Sequence, residues 1–264
     1  MAEPAMRCLR QLADIFRLGC GKGNKDKDVL RYKGSKPGKP VKPGTELRIL
    51  CVGDSITVGF MSDQDGGDGN GYRLRLLDDL SQDQVVYAGT EVGGTMKDGY
   101  FAAWSGKTIQ FIADNVGPSL AQRPNIVLVH AGTNDMNSSN AISSEGNDPA
   151  AAAERLGLLI DRITGASPDA VVLVAMIIET WDPVQTQRTR QFDALVPGVV
   201  RQRRDAGRQV LAVDFTSFNK KLLRDGVHPS NDGYLVFGDY WYDFLTQIPT
   251  EWIHPPVGND PNRW

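Results

Sequence analysis

Five short apolar runs, at residues 47–52, 85–88, 126–130, 170–178 and 210–213, recur along the chain too far apart to be hairpin partners. They show little polar/apolar alternation, which is the pattern of strands buried on both faces. The stretches between them carry helical spacing. Residues 72–80 place Leu74, Leu77 and Leu80 on one stripe, and 108–115 and 149–164 follow the same period. Asp148 and Pro149 stand where an N-cap and a first helical residue belong. Residues 185–206 read as helix with a break at Pro197, and 230–245 as a closing helix rich in Tyr234, Phe237, Tyr240, Trp241 and Phe244. Strands that alternate with helices demand crossover connections, and crossovers of one hand give a parallel sheet with helices on both faces. The expected fold is a three-layer α/β/α sandwich around five parallel strands.

The 264 residues suit one such domain, assigned here to 47–248. Before it, residues 6–18 carry an amphipathic stripe of Met6, Leu9, Leu12, Ala13, Ile15 and Phe16. Residues 19–46 lose all periodicity and read as a Gly-, Lys- and Pro-rich linker. Residues 249–264 form a Pro-rich irregular tail.

Several function classes drop out. A net charge of −3 gives no footprint for nucleic acid. No apolar stretch reaches the roughly 18 residues of a membrane span. Cys8, Cys20 and Cys51 provide neither a disulfide framework nor a metal pair. Residues 1–19 are interrupted by Arg10, Asp14 and Arg17 and do not read as a signal peptide, so a cytoplasmic protein is expected. Asp63, Asp65, Asp68 and Asn70 imitate a calcium loop, but Gly67 and Leu74 stand where that loop needs ligands. No metal and no cofactor are expected.

Three loops carry chemistry. The first strand runs into Gly53-Asp54-Ser55-Ile56-Thr57, which presents a serine beyond the strand's carboxyl end, the edge where open α/β sheets bind ligands. The α/β-hydrolase elbow G-x-S-x-G is not met, because Thr57 replaces its last glycine. A serine needs a base to act as a nucleophile. Asp225-Gly226-Val227-His228-Pro229 offers one, spaced so that the carboxylate of Asp225 reaches the near nitrogen of His228. Gly132-Thr133-Asn134-Asp135 follows the third strand, and the Asn134 amide is a candidate donor to an oxyanion. Each loop alone has a plainer reading as a helix cap or a turn. A parallel sheet brings all three to one edge.

Gly53-Asp54-Ser55, Gly132-Thr133-Asn134-Asp135 and Asp225-x-x-His228, in that order, resemble the SGNH (GDSL) hydrolase superfamily over residues 47–247. The resemblance implies a flavodoxin-like sandwich, with Ser55 as nucleophile, His228 as base and Asp225 as its orienting acid. It implies an oxyanion hole made by the Ser55 N–H, the Asn134 side chain and the N–H of a second-block glycine. Ser105-Gly106-Lys107-Thr108 matches that block best and nominates Gly106, with Gly89 and the Gly93-Gly94 pair as rivals. Gly71-Tyr72-Arg73 adds a similarity to the family 3 carbohydrate esterases. Trp104 stands where those enzymes tend to carry a histidine, which favours an apolar or aromatic group in the substrate. Asp54, Trp104 and Trp181 are the candidate substrate contacts, and the expected partner is a small-molecule or glycan ester. The expected activity is a serine esterase working through an acyl-enzyme. Acyl transfer or thioester hydrolysis at the same site, and a binding module with vestigial groups, are its alternatives. The sequence leaves the oligomeric state open.

Overall fold

A computed structural model describes residues 29–259, so the expected N-terminal helix lies outside the described residues. The five expected strands are all present: β2 Glu46–Gly53, β3 Gln84–Ala88, β6 Ile126–His130, β7 Val171–Met176 and β8 Val210–Asp214. Their order is β3-β2-β6-β7-β8, every neighbouring pair parallel. Val, Ile and Leu side chains of β2, β6, β7 and β8 are almost wholly withdrawn from water. Each such side chain contributes roughly 1.5–3 kcal/mol on burial.

The helices follow the expected spacing. They are α1 Ser55–Val58, α2 Arg73–Asp79, α3 Ile109–Asn115, α4 Gly117–Leu120, α5 Pro149–Ala166, α6 Pro183–Asp193, α7 Val196–Asp205 and α8 Asn231–Leu245. Asp148 caps α5 by accepting the Ala151 N–H, with Pro149 at the first position. The break before α7 falls at residues 194–195, and Pro197 sits in that helix's first turn, where its missing N–H costs nothing. Helix α2 packs on α8, while α3, α5 and α7 pack side by side. The aromatic stripe of α8 meets Phe215 just past β8: Phe237 stacks on it at 4.5 Å and Trp241 meets it edge-on at 4.8 Å. His130, fully buried, lies edge-on to Phe215 and Phe237. Burial pushes its imidazole down to about 3, so it is a neutral core residue.

Three further strands extend the sheet beyond the expected five. β1 Val29–Arg31 pairs in parallel with β8, and β4 Glu91–Val92 lies antiparallel to β5 Tyr100–Ala103. Residues 29–46 are therefore a strap on the domain and not the expected linker. Asp243 accepts the N–H groups of Lys33 and Ser35, Asp83 accepts those of Val41 and Lys42, and Tyr32 stacks on Tyr240 at 3.9 Å. Beyond β1, the strap is held largely by side chains of other elements, so its own sequence shows no period. The tail is irregular but anchored: the Arg48 guanidinium donates to the Val257 and Gly258 carbonyls, and the Asn125 amide to that of His254. No helix among the described residues is long and apolar enough to cross a membrane.

Candidate active site

Strand β2 ends at Gly53, and Asp54 turns the chain by accepting the Ile56 N–H at 3.0 Å, which starts α1 with Ser55 as its first residue. An N–H at that position has no helical acceptor. Asp54 is fully buried. Burial pushes its carboxyl up to about 6 against the pull of the Ile56 N–H and the Thr133 hydroxyl. It caps α1 from within the core and has no exposed surface, although the sequence nominates it as a substrate contact.

The far end of α1 is gripped by Arg73. Its Nη1 donates to the Thr57 carbonyl at 2.6 Å and the Val58 carbonyl at 3.1 Å, and Nη2 to the Gly93 carbonyl at 3.1 Å. The guanidinium lies 4.3 Å from the centre of the Phe101 ring and is fully buried. A cation at a helix C-terminus complements the carbonyls left unpaired there. Nothing in the Gly71-Tyr72-Arg73 sequence marks this role, because the carbonyls that Arg73 holds lie 15 to 20 residues away.

The loop before α8 brings the imidazole to Ser55. Asp225 Oδ1 accepts the N–H groups of Val227 and His228, and Oδ2 lies 2.7 Å from His228 Nδ1. Burial alone raises the Asp225 carboxyl; the His228 N–H and imidazole and the Val227 N–H outweigh it, and the group is held below the ordinary carboxylate value. An ionised carboxylate only accepts, so Nδ1 carries the proton. Nε2 then presents a lone pair, and the Ser55 hydroxyl donates to it at 2.8 Å. The loop is closed by the Arg224 N–H on the His228 carbonyl at 2.8 Å. Gly226 has φ +88°, and a Cβ there would sit 2.9 Å from the Trp181 indole. Phe60 packs on the imidazole at a tilt, with ring centres 4.7 Å apart.

The second cluster of donors depends on β5. Strand β3 pairs with β2 only as far as Leu50; at Val52 and Gly53, β5 takes its place. The Trp104 N–H then donates to the Gly53 carbonyl at 3.2 Å, which sets the next turn beside Ser55. That turn closes through the Lys107 N–H on the Trp104 carbonyl, with Gly106 at φ +74° in the position that requires a positive φ. The Asn134 amide donates to the Lys107 carbonyl at 2.9 Å, so Asn134 and the Gly106 turn lie together. The rival glycines are otherwise engaged. The Gly89 N–H donates to the Gln122 side chain at 2.7 Å, the Gly93 N–H donates to the Gly99 carbonyl, and Gly94 packs on Asn70.

Trp104 is half-buried, its indole edge-on to Phe111 at 5.8 Å. Trp181 supports the histidine loop: its backbone N–H donates to the Gly226 carbonyl and its indole N–H to that of Lys220. The acidic loop 61–70 is structural. Asp65 pairs with Arg224, and Asp68 accepts the Asn70 N–H. No group of three or more potential metal ligands occurs among the described residues. Beside Phe60 runs an open groove of about 550 Å³, lined by Met61, Asp63, Gln64 and Asp68 and by the backbone of Gly93 and Gly94.

Residues 51–236 match the model of the GDSL-like Lipase/Acylhydrolase family. The chain is 28% identical over 146 residues to a putative endoglucanase X of Acetivibrio thermocellus, covering 53% of this chain and 59% of that protein. It is 24% identical over 250 residues to a multidomain esterase of Ruminococcus flavefaciens, covering 81% of this chain and 30% of that one. The chain thus spans only part of the curated relatives it matches. A family 3 carbohydrate esterase of Clostridium thermocellum superposes with a TM-score of 0.61 at 27% identity, covering 76% of this chain and 98% of that structure.

Proposed function

The chain belongs to the GDSL-like lipase/acylhydrolase family, so residues 51–236 form an ester-hydrolase domain, and we propose that it cleaves a carboxylic ester through Ser55, His228 and Asp225. The observation that carries the reading is the unbroken relay from Asp225 Oδ2 through the imidazole to Ser55 Oγ, at 2.7 and 2.8 Å.

Ser55 Oγ attacks the ester carbonyl carbon as its proton passes to His228 Nε2. The carbonyl π electrons move onto oxygen. That oxyanion takes hydrogen bonds from the Ser55 and Gly106 N–H groups and from the second N–H of the Asn134 amide, the first being held by Lys107. The tetrahedral adduct collapses, the C–O bond to the alcohol breaks, and the imidazolium returns its proton to the departing alkoxide. Water, deprotonated by His228, attacks the acyl-enzyme in the same way and frees Ser55. Asp225 stays ionised and holds the tautomer.

The leaving alcohol has to lie within reach of His228 Nε2. It therefore departs past Phe60 into the groove bordered by Asp63 and Asp68. Carboxylates on that border favour a neutral hydroxylated alcohol over an anionic one. The likeness to a carbohydrate esterase supports a glycan ester, and the acyl group faces Trp104. Phe60, which packs on the imidazole, is 44% exposed, and this open edge of the site supports hydrolysis over acyl transfer.

Replacing Ser55 by Ala is expected to abolish turnover of p-nitrophenyl acetate while the thermal midpoint stays near that of the parent. Retained turnover by the pure, folded variant rules the mechanism out.

A further inference from the structure

We infer that Arg155, on α5, is a positioning residue for the oxyanion site, acting through Asp135. The inference rests on the reading above that Asn134 and Gly106 stabilise the oxyanion. Those two donors come from different strands: Gly106 from the turn after β5 and Asn134 from the turn after β6. A pair of donors is useful only at a fixed separation, because an oxyanion hydrogen bond is strong over a narrow range of distance. Something has to hold the two turns in register.

Two bonds do so directly. The Asn134 amide donates to the Lys107 carbonyl at 2.9 Å, and Asp135 Oδ2 accepts the Ile109 N–H at 2.9 Å. The residue after Asn134 is thus tied to the start of α3, three residues beyond Gly106. Asp135 is fully buried, and Arg155 anchors it from behind. Nε and Nη2 of Arg155 reach the single oxygen Oδ1 at 3.2 and 2.9 Å, leaving Oδ2 for Ile109. Arg155 is itself only 12% exposed, and its Nη2 also approaches the Gly146 carbonyl at 3.4 Å. It belongs to neither catalytic turn.

The geometry makes Arg155 the fixed post and Asp135 the link. Burial raises the Asp135 carboxyl above its ordinary value even with the Ile109 N–H and the Arg155 guanidinium opposing it; without the guanidinium only the Ile109 N–H defines its orientation. The carboxyl then rotates or takes up a proton, and the Asn134 amide moves relative to Gly106. A displacement of about 1 Å in such a group costs as much as 10² in rate.

The test is steady-state kinetics on a short p-nitrophenyl ester with Arg155→Met and Arg155→Lys, each alone and in an Asn134→Ala background. Arg155→Met is expected to lower kcat by roughly 10- to 100-fold, with KM within about twofold and with part of kcat recovered by Arg155→Lys. Its effect is expected to shrink to a few-fold when Asn134 is already Ala, because positions that act through one another are not additive. If Arg155→Met fails to fold, Asp135→Asn, which keeps an acceptor for Ile109 and loses the charge pair, is measured in the same cycle with the same expectation. A folded variant with kcat within twofold of the parent overturns the inference, as does an undiminished loss in the Asn134→Ala background. Ser55→Ala separates the two levels. If it is inactive while Arg155→Met behaves as the parent, only the positioning role fails; if it is active, the reading beneath fails.

Discussion

Asp193 is the buried carboxyl whose charge state is most at odds with its surroundings. Oδ1 accepts the Ile177 N–H at 2.7 Å, while Oδ2 has no partner among the described residues. Burial, with the charges of Asp214 and Glu179, pushes it up to about 8. In the unfolded chain the same carboxyl titrates near about 4. Between those values the native state holds a proton that the unfolded state has lost, so this group's contribution to stability falls as pH rises. Asp193→Asn keeps the acceptor and removes the titration. Its thermal midpoint is expected to decline less than the parent's between pH 5 and pH 8, as read by calorimetry at fixed ionic strength; an identical decline in both proteins contradicts the assignment. At this scale the reactive side chains were legible in the sequence, because Ser55, Asn134, Asp225 and His228 are chemically distinctive and sit in short motifs. Arg73 and Arg155 were not. Their partners are carbonyls and a carboxylate 15 to 20 residues away, which leave no local pattern.

Among the elements, β2 and its neighbours place the site. Sequence periodicity identified β2, β3, β6, β7 and β8 because each is a continuous apolar run. It missed β5, whose Tyr100-Phe101-Ala102-Ala103 lies between glycine-rich stretches and pairs with only two residues of β2. Yet β5 is what carries Trp104 and Gly106 to Ser55. Gly106 was identified from its motif and not from any strand. The short helix α1 has a similar dependence: with four residues it is too short to persist alone, and Arg73 closes it against β5 through Phe101. Arg73→Lys keeps the charge but loses the fork that reaches three carbonyls. Leaving buried carbonyls unpaired costs about 1–3 kcal/mol each. The variant is expected to show a lower urea midpoint together with a lower kcat, since Ser55 stands on the helix that loosens. Parent-like values of both contradict this role.

For the whole molecule, the strap of residues 29–46 and the anchored tail enlarge the domain beyond its five-stranded core. Composition hid both, since Gly-, Lys- and Pro-rich chain looks alike whether it is solvated or pinned by distant side chains. Asp243 is the clearest pin, accepting the Lys33 and Ser35 N–H groups and the Gln247 amide. It lies twelve residues beyond Asn231, or about 18 Å along α8 from the end that carries the histidine loop. Asp243→Ala is expected to lower stability by about 1–3 kcal/mol in urea titrations and to leave kcat/KM unchanged below the transition. A parallel loss of activity in the folded variant contradicts the separation of strap and site.

The most direct measurement is the position of covalent modification by a fluorophosphonate, read by mass spectrometry of the digested protein. The account predicts one adduct per chain, on the peptide containing Ser55, absent in Ser55→Ala and formed far more slowly in His228→Ala. A folded, ester-cleaving protein that takes no label, or takes it at another residue, contradicts the account.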